Sequence, residues 1–340
     1  MKNLASLATV ALANSICARL HIQPHDNYGS LPHGSVCLAN DSLFSQATLQ
    51  VEQTTYGIGY ADPNRNKLVD LLNSLAPTRS GPRNARITVY DETEPFETVD
   101  YKTVKRAELG DFREVKQRTS TRVTRAVLNR GLTCVLDTDQ LIDKPNWRQM
   151  HTEWLIDLLS RASILEVLAL YAAIAATDTY TWNANANPDL DLKNLNVSVL
   201  APATGFKANR AVFGEEATLK RQIAYEPQNN AGAYAAAPIM TDEGIAARIG
   251  VDRVRTNVER YNTAGVKNTF LGSKVLLFTS QDQESPEDAS NIVRHTANTG
   301  AGGAYAVYVE ERLKKTLITV ENYELFATQH TSGVALITIN

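Results

Sequence analysis

Between Trp147 and Thr177 the chain runs for 31 residues without a glycine or a proline. Asp143 can cap such a stretch and Pro145 suits a first helical turn. The spacing therefore predicts one helix over 145–177, a rod on the order of 45 Å long at about 1.5 Å per residue. Arg148, Glu153, Asp157, Arg161 and Glu166 interrupt its apolar positions. The cleanest apolar run, Val167 to Ala176, falls well short of the roughly 20 residues that a membrane span needs. A helix this long in a globular chain is a spine, and it needs a sheet to lie on.

The sheet is foreshadowed on both sides of the spine. Before it, Ala85 to Val89 and Thr119 to Val127 have β patterning, and valine and threonine recur from Val99 to Val104. A long two-stranded excursion fits this better than a helix. After it, Asn194 to Leu200 alternates as a strand would, ending at Pro202. Residues 203–250 read as small helices, among them Gly214 to Tyr225 and a helix from Thr241 to Ile249 with Gly250 beyond its end. Strands then dominate at Arg253–Val258, Lys274–Phe278, Ala304–Val309, Leu317–Glu321 and Val334–Ile339. No run of alternating βαβ units occurs, so the class is α+β.

The 340 residues carry 34 Lys+Arg against 37 Asp+Glu, a formal charge of -3, with 43% hydrophobic and 21% charged residues. That composition buries a core and excludes a disordered chain, and the length suggests two domains. The balance of charge also removes the simplest case for a nucleic-acid binder, which shows a basic excess. The exception is local. Residues 101–125 hold Lys102, Lys105, Arg106, Arg113, Lys116, Arg118, Arg122 and Arg125 against Glu108, Asp111 and Glu114. Such a stretch is either a solvated hairpin or a loop that reaches an acidic neighbouring surface.

The first 84 residues are punctuated by Pro24, Pro32, Pro63, Pro77 and several glycines, as an arm would be, with one helix expected from Pro63 to Leu75. Its start imitates a signal peptide. The preferred reading is a helix, because Leu4, Ala8, Leu12, Ile16 and Leu20 recur at i, i+4 and form a stripe that needs a surface to cover it. Three cysteines, Cys17, Cys37 and Cys134, are too few and scattered to staple the fold, which points to a reducing compartment.

Sites of chemistry are hard to find. None of the Gly-Ser pairs is framed as a nucleophile elbow. Thr299-Gly-Ala-Gly-Gly-Ala304 lacks the Lys-Ser/Thr of a phosphate loop. Tyr56-Gly-Ile-Gly-Tyr60 lacks the third glycine of a dinucleotide fingerprint. Cys17, His21, His25, His33 and Cys37 are the best metal candidates, yet Pro24 breaks their alignment and no paired knuckle exists. Asp137-x-Asp139 and Asp189-x-Asp191 lack the glycine and terminal glutamate of a calcium loop and read as caps or turns. No catalytic, cofactor-binding or metal residue is assigned, and no cofactor is expected.

The succession of arm, basic β excursion, spine helix, helix-and-loop insert and returning strands resembles the major capsid proteins of tailed bacteriophages, the Hong Kong 97-like fold. Three stretches carry the likeness. Arg130-Gly-Leu-Thr-Cys-Val-Leu-Asp-Thr-Asp-Gln-Leu141 is similar to the segment that leads that family's excursion into its spine. Gly250-Val-Asp-Arg-Val-Arg-Thr-Asn-Val-Glu-Arg-Tyr-Asn-Thr-Ala264 followed by Phe270-Leu-Gly-Ser-Lys-Val-Leu-Leu-Phe278 resembles its Tyr-Asn-Thr strand and the strand after it. Tyr308-Val-Glu-Glu-Arg-Leu through Val320-Glu-Asn-Tyr323, with Gly333-Val-Ala-Leu-Ile337, resembles its return and final strands. The likeness spans 85–340.

The resemblance implies an arm at 1–84 and an extended loop at 85–128. It implies a peripheral domain at 129–194 and 304–328 with its spine at 145–177, and an inserted axial domain at 195–303 and 329–340. It further implies a non-enzymatic subunit that assembles with itself, through pentamers and hexamers, into an icosahedral shell around double-stranded DNA. Such a subunit resides in the virion, and in the host cytoplasm during assembly. Scaffold, decoration and portal proteins are the implied partners, DNA contact is non-specific, and no membrane is involved. Contacts between subunits are expected from Lys102, Lys105, Arg113, Lys116, Arg118 and Arg122 and from the arm's Leu4, Leu12 and Ile16. The lysines also lie where that family can place an isopeptide donor. A nanocompartment shell of the same fold and an oligomeric enzyme with an unrecognised site stay open as alternatives.

Overall fold

The computed structural model describes residues 48–49, 63–90, 120–137, 146–228, 240–283, 288–297, 305–312 and 314–340. From the N-terminus come β1 (Thr48–Leu49), α1 (Pro63–Leu75), β2 (Thr78–Gly81), β3 (Asn84–Tyr90), β4 (Ser120–Ala126), β5 (Leu128–Asp137) and the spine, α2 (Trp147–Ile174). Then follow β6 (Ala176–Tyr180), α3 (Pro188–Leu195), a wide π-turn (Asn196–Leu200), α4 (Ala201–Thr204), β7 (Arg210–Gly214), α5 (Glu215–Tyr225) and α6 (Asp242–Ile249). The remainder is strand: β8 (Arg253–Asn257), β9 (Arg260–Thr263), β10 (Val266–Thr269), β11 (Lys274–Phe278), β12 (Ile292–Ala297), β13 (Tyr305–Arg312), β14 (Lys315–Thr328) and β15 (Ala335–Ile339).

Two sheets share the spine. The first is organised by the 14-residue β14, whose opening half pairs with β13 and with β5 while its closing residues pair with β12. At Tyr323 and Glu324 both β5 and β12 are bonded, so β12 and β13 follow one another along one edge of β14 and β5 takes the other. The second sheet runs β6-β15-β11-β7-β8. Its central strand reads Val275-Leu-Leu-Phe278 because both its faces are covered. Val275 and Leu277 join the core formed with α3, α5 and α6, while Leu276 and Phe278 join the core formed with α1 and α2.

The spine serves both sheets. Leu155, Ile156 and Leu159 pack on Val307, Val309, Ile318 and Val320 of the first sheet. Two turns later, Ile164, Val167 and Tyr171 pack with Leu68, Leu71 and Leu72 of α1 and with Val212 and Phe278 of the second sheet. The Tyr171 hydroxyl donates to the Leu75 carbonyl at 2.7 Å, satisfying an orphan acceptor at the end of α1. Thr152 and Ser160 are tolerated on the buried side because their hydroxyls donate to the carbonyls of Arg148 and Ile156.

Several expectations need correction. The spine is Trp147–Ile174, not 145–177; Asp143 and Pro145 lie outside the described residues, and Asn146 enters the helix at φ 65° without a side-chain cap. At the other end Ala175 is extended, and Thr177 pairs with Leu336 in a parallel ladder, so sheet pairing overrides helical continuation. Asn194 to Leu200 is helical, not a strand. The apparent alternation has the wrong sense, because Val197 and Val199 are exposed while Asn196 is buried and bonded to both the N–H and the carbonyl of Ala208. Arg210–Gly214, read as part of a helix-and-loop region, opens with a fully buried strand whose apolar residues serve both faces. The helices Pro63–Leu75 and Thr241-capped Asp242–Ile249, and the strand Lys274–Phe278, match the sequence reading, and Gly250 takes φ 81° after α6.

β9 and β10 form a hairpin around Ala264 and Gly265, both at positive φ, the geometry of a two-residue type I′ turn. At the β7–α5 junction a Cβ on Gly214 would lie 2.0 Å from the carbonyl oxygen of Gly272. Gly214→Ala is accordingly expected to destabilise the subunit by about 3 kcal/mol, since backbone cannot move aside as a side chain can. Chemical denaturation of the unassembled subunit measures this.

Candidate functional site

Function in this chain has two places to lie: buried charged clusters able to do chemistry, and surfaces able to bind. The buried clusters are occupied with each other. Asp189, in the first turn of α3, receives both Nε (2.7 Å) and Nη2 (2.9 Å) of Arg221 from α5 and Nε of Arg248 (2.8 Å) from α6. The Tyr225 hydroxyl accepts from the Asp189 N–H and donates to Asn187, and its ring lies under both guanidinium groups at 5.2 and 5.5 Å. Burial pushes the Tyr225 hydroxyl up to about 12. This constellation sews three helices together, and Asp189 is a buried ion-pair hub instead of the expected cap or turn.

A second cluster joins the spine to the first sheet. Arg130 on β5 makes a two-pronged pair with Glu166 of α2, and Glu324 of β14, fully buried, accepts Nη2 of Arg294 at 2.8 Å and the Asn322 amide at 3.1 Å. The third cluster pins the crossing between sheets. Arg79 on β2 donates to Asp288 at 2.7 Å and to the carbonyls of Gln281, Asp282 and Gln283, while Arg210 on β7 donates to Asp282 and to the Ser74 carbonyl. None of the three presents a nucleophile beside a base. Burial raises the Cys134 thiol, which disfavours the thiolate that a nucleophile needs.

Two open clefts border the hairpin side of the second sheet. One, of about 490 Å³, lies between Lys67 and Asp70 of α1 and Arg253 and Arg255 of β8. The other, of about 700 Å³, lies between Glu216 and Leu219 of α5 and Tyr261 and Lys267 of the hairpin. Their charges are mixed and partly paired, as in Arg255–Glu259 and Arg260–Glu215. Among the described residues no group of three His, Cys, Asp or Glu is placed to hold a metal ion, and no helix is long and apolar enough to cross a membrane.

The surface is more informative. Met150, Trp154 and Leu165 of α2 are 56%, 50% and 37% exposed, and Leu128 and Val135 of β5 are 54% and 58% exposed. On α5, Leu219 and Ile223 stand one turn apart in solvent. Apolar side chains arrayed along elements in this way mark surfaces that another molecule covers. Of the residues named from sequence as contacts, Arg122 sits on β4 opposite Thr88, in the β3–β4 ribbon. Lys102, Lys105, Arg113, Lys116, Arg118, Leu4, Leu12 and Ile16 lie outside the described residues, as do Cys17, His21, His25, His33, Cys37 and the glycine-rich 299–304. The exposed faces of α2 and β5 were not foreseen. The signal was there in the spine's apolar residues, which recur around its whole circumference instead of along one stripe.

The same fold occurs in phage proteins. A phage-related protein from Bordetella bronchiseptica RB50 superposes with a TM-score of 0.58 at 14% identity, over 86% of this chain and 97% of that one. A protein of Gordonia phage Cozz gives 0.51 at 10% identity, over 79% and 86%. The mature capsid of bacteriophage PhiM1 is more distant, at 0.46 and 10%. No family model and no curated protein matches the sequence. The chain shares its α+β fold with the phage-related protein and with the Gordonia phage protein, in keeping with the phage fold that the order of its motifs implied.

Two outcomes follow for the buried clusters. Asp189→Ala leaves two cations facing each other in the core and is expected to cost about 3–5 kcal/mol, against less than about 1 kcal/mol for Arg260→Ala at the surface; denaturant titration compares them. Burial also raises the Tyr308 hydroxyl, like that of Tyr225, to about 12, above the roughly 10 of an unfolded tyrosine. The folded chain then holds more protons than the unfolded one between those values, so stability is full below pH about 10 and falls as pH rises to about 12. Thermal melting against pH should show this decline, and Tyr225→Phe should make it shallower.

Proposed function

We propose that the chain is a major capsid protein, a subunit that assembles with its own copies into the closed shell of a tailed phage around double-stranded DNA. The observation that carries this reading is the fold, which spans nearly the whole of a phage-related protein. The exposed apolar rows on α2, β5 and α5 support it, because shell subunits keep such surfaces for their neighbours. Many contacts of modest strength then hold the assembly through their number.

Within this reading residues 1–84 are the arm and 85–128 the extended loop, of which β3 and β4 form the base. The peripheral domain takes 129–194 and 304–328, and the axial domain 195–303 and 329–340, with two refinements that the strand pairing favours. Ile292–Ala297 pairs with β14, which supports a peripheral place for it, and Ala176–Tyr180 pairs with β15, which supports an axial place for that strand and for α3 after it. Arg113, Lys116, Arg118 and Arg122 reach acidic groups on a neighbour's spine. Leu4, Leu12 and Ile16 add apolar contacts between subunits, with Lys102 and Lys105 beside the basic row. Scaffold, portal and decoration proteins are further partners, the contact with DNA is non-specific, and no enzymatic role is assigned.

Electron microscopy of the expressed protein tests the reading: closed shells are expected, and small discrete oligomers with turnover of a substrate would sink it. Nuclease-protected DNA inside shells from the native source distinguishes a virion from a nanocompartment, which would hold protein cargo. Reversal of Arg113, Lys116, Arg118 and Arg122 to glutamate should lower shell yield and make the remaining shells salt-sensitive. Unchanged yield and salt resistance would remove these residues from the interface.

A further inference from the structure

The second sheet ends in two edge strands, β6 and β8, and among the described residues no strand pairs with the outer side of either. An edge of this kind presents a row of backbone N–H and C=O groups that can template pairing with another chain. Space for such a chain exists beside β8. The cleft of about 490 Å³ runs along it, lined by Arg253 to Thr256, Val258 and Glu259 together with Lys67 of α1 and Asp242 of α6.

Which amides face outward follows from the ladder. Arg253 donates its N–H to the Asn209 carbonyl just before β7, and amides alternate along a strand, so those of Thr256 and Val258 point away from β7. Both are taken by carboxylates. Asp242, in the first turn of α6, accepts from the Thr256 N–H at 3.3 Å and from the Thr256 hydroxyl at 3.1 Å. Glu259 accepts from the Val258 N–H at 3.2 Å. Its carboxylate is held in place by the Asn257 amide at 2.6 Å and by Arg255 at 3.1 Å, and its side chain is only 9% exposed. The other edge repeats the arrangement. Ala176 donates to the Val334 carbonyl, so the Thr179 N–H faces outward, and the Asp178 carboxylate accepts from it at 2.8 Å. A carboxylate fixed on an outward amide fills the position that the carbonyl of an added strand would take, and its negative charge repels that carbonyl oxygen.

We infer that Asp242 and Glu259 on β8, and Asp178 on β6, are guards that keep the edges of the second sheet closed to strand addition by a second copy of this chain. The inference goes beyond the shell reading and stands without it, because it concerns the edges of a single chain. Wherever copies come close, an open edge offers a contact that competes with any specific one, and the guards leave association to side chains. The Asp242 bonds also tie α6 to β8, so guarding has to be told apart from plain stabilisation.

Full-length protein carrying Asp242→Ala and Glu259→Ala is compared with the unaltered chain by sedimentation over a series of concentrations. Association is expected at concentrations about tenfold or more lower, because two backbone donors are freed for a partner. Asp242→Asn with Glu259→Gln is expected to stay with the unaltered chain, since a side-chain amide oxygen still accepts each N–H. The deciding variant adds Val258→Pro to the alanine pair. Proline removes one outward donor without touching the ladder to β7, so association by the edge should return to the unaltered level. A chain that had merely lost stability would gain nothing from the proline. Unchanged association in the alanine pair, or association that the proline leaves in place, overturns the inference. Should the alanine pair fail to fold, residue-resolved amide exchange of the unaltered chain decides: Thr256 and Val258 are expected to exchange at least about tenfold more slowly than unstructured amides, and free exchange at either overturns the guards. Absence of shells would overturn the proposed function and leave this result standing.

Discussion

The constraint on which the molecule depends is that one helix must satisfy two sheets. Three residues near its start, Leu155, Ile156 and Leu159, close the core of the first sheet, and three further along, Ile164, Val167 and Tyr171, close that of the second. A helix with one apolar stripe cannot do this, because the two sheets approach at different rotations about its axis. Apolar residues therefore recur around the whole of α2, and part of that surface is left facing outward. Everything else arranges itself about this choice. α1 fills the gap beside the second half of the spine and is capped by the Tyr171 hydroxyl. The chain's passage from β11 to β12 is held in register by Arg79 and Arg210, which donate from one sheet each into the same short stretch.

Where the sequence was legible, local signals and tertiary structure agreed. The Gly- and Pro-free run, the proline-opened α1, the Thr241 cap with Gly250 beyond it, and the apolar Lys274–Phe278 strand are each specified by residues within a few positions of one another. Where it was illegible, a distant partner decided. Asn196 reads as a polar strand residue until Ala208, twelve residues on, supplies both its hydrogen bonds. Ala176–Tyr180 continues a helical composition and becomes a strand because β15 offers it a ladder. Arg210–Gly214 has too little pattern of its own, since a strand buried on both faces loses its alternation.

The candidate site divides along the same line. A cluster such as Asp189, Arg221 and Arg248 is invisible in the sequence, where Asp189 reads as a cap or turn, and only geometry shows that its charges are consumed by one another. Binding surfaces are legible only as excess, as apolar residues beyond what a helix or strand needs for its own core. Val135 and Leu128 on β5 are of that kind, and so is Trp154. The basic row ahead of Arg122 was plain from composition, because charge clustering needs no fold to be seen.

The exposed row on the spine is graded along its length. Its first turns carry methionine and tryptophan, whereas its last carry Ala169, Ala172 and Ala173. Alanine buries little area, so contact there gains little free energy, yet it lets another backbone come close. One end of the row thus sets strength and the other sets shape. Any contact made along this row would draw its free energy from the first turns and its close fit from the last.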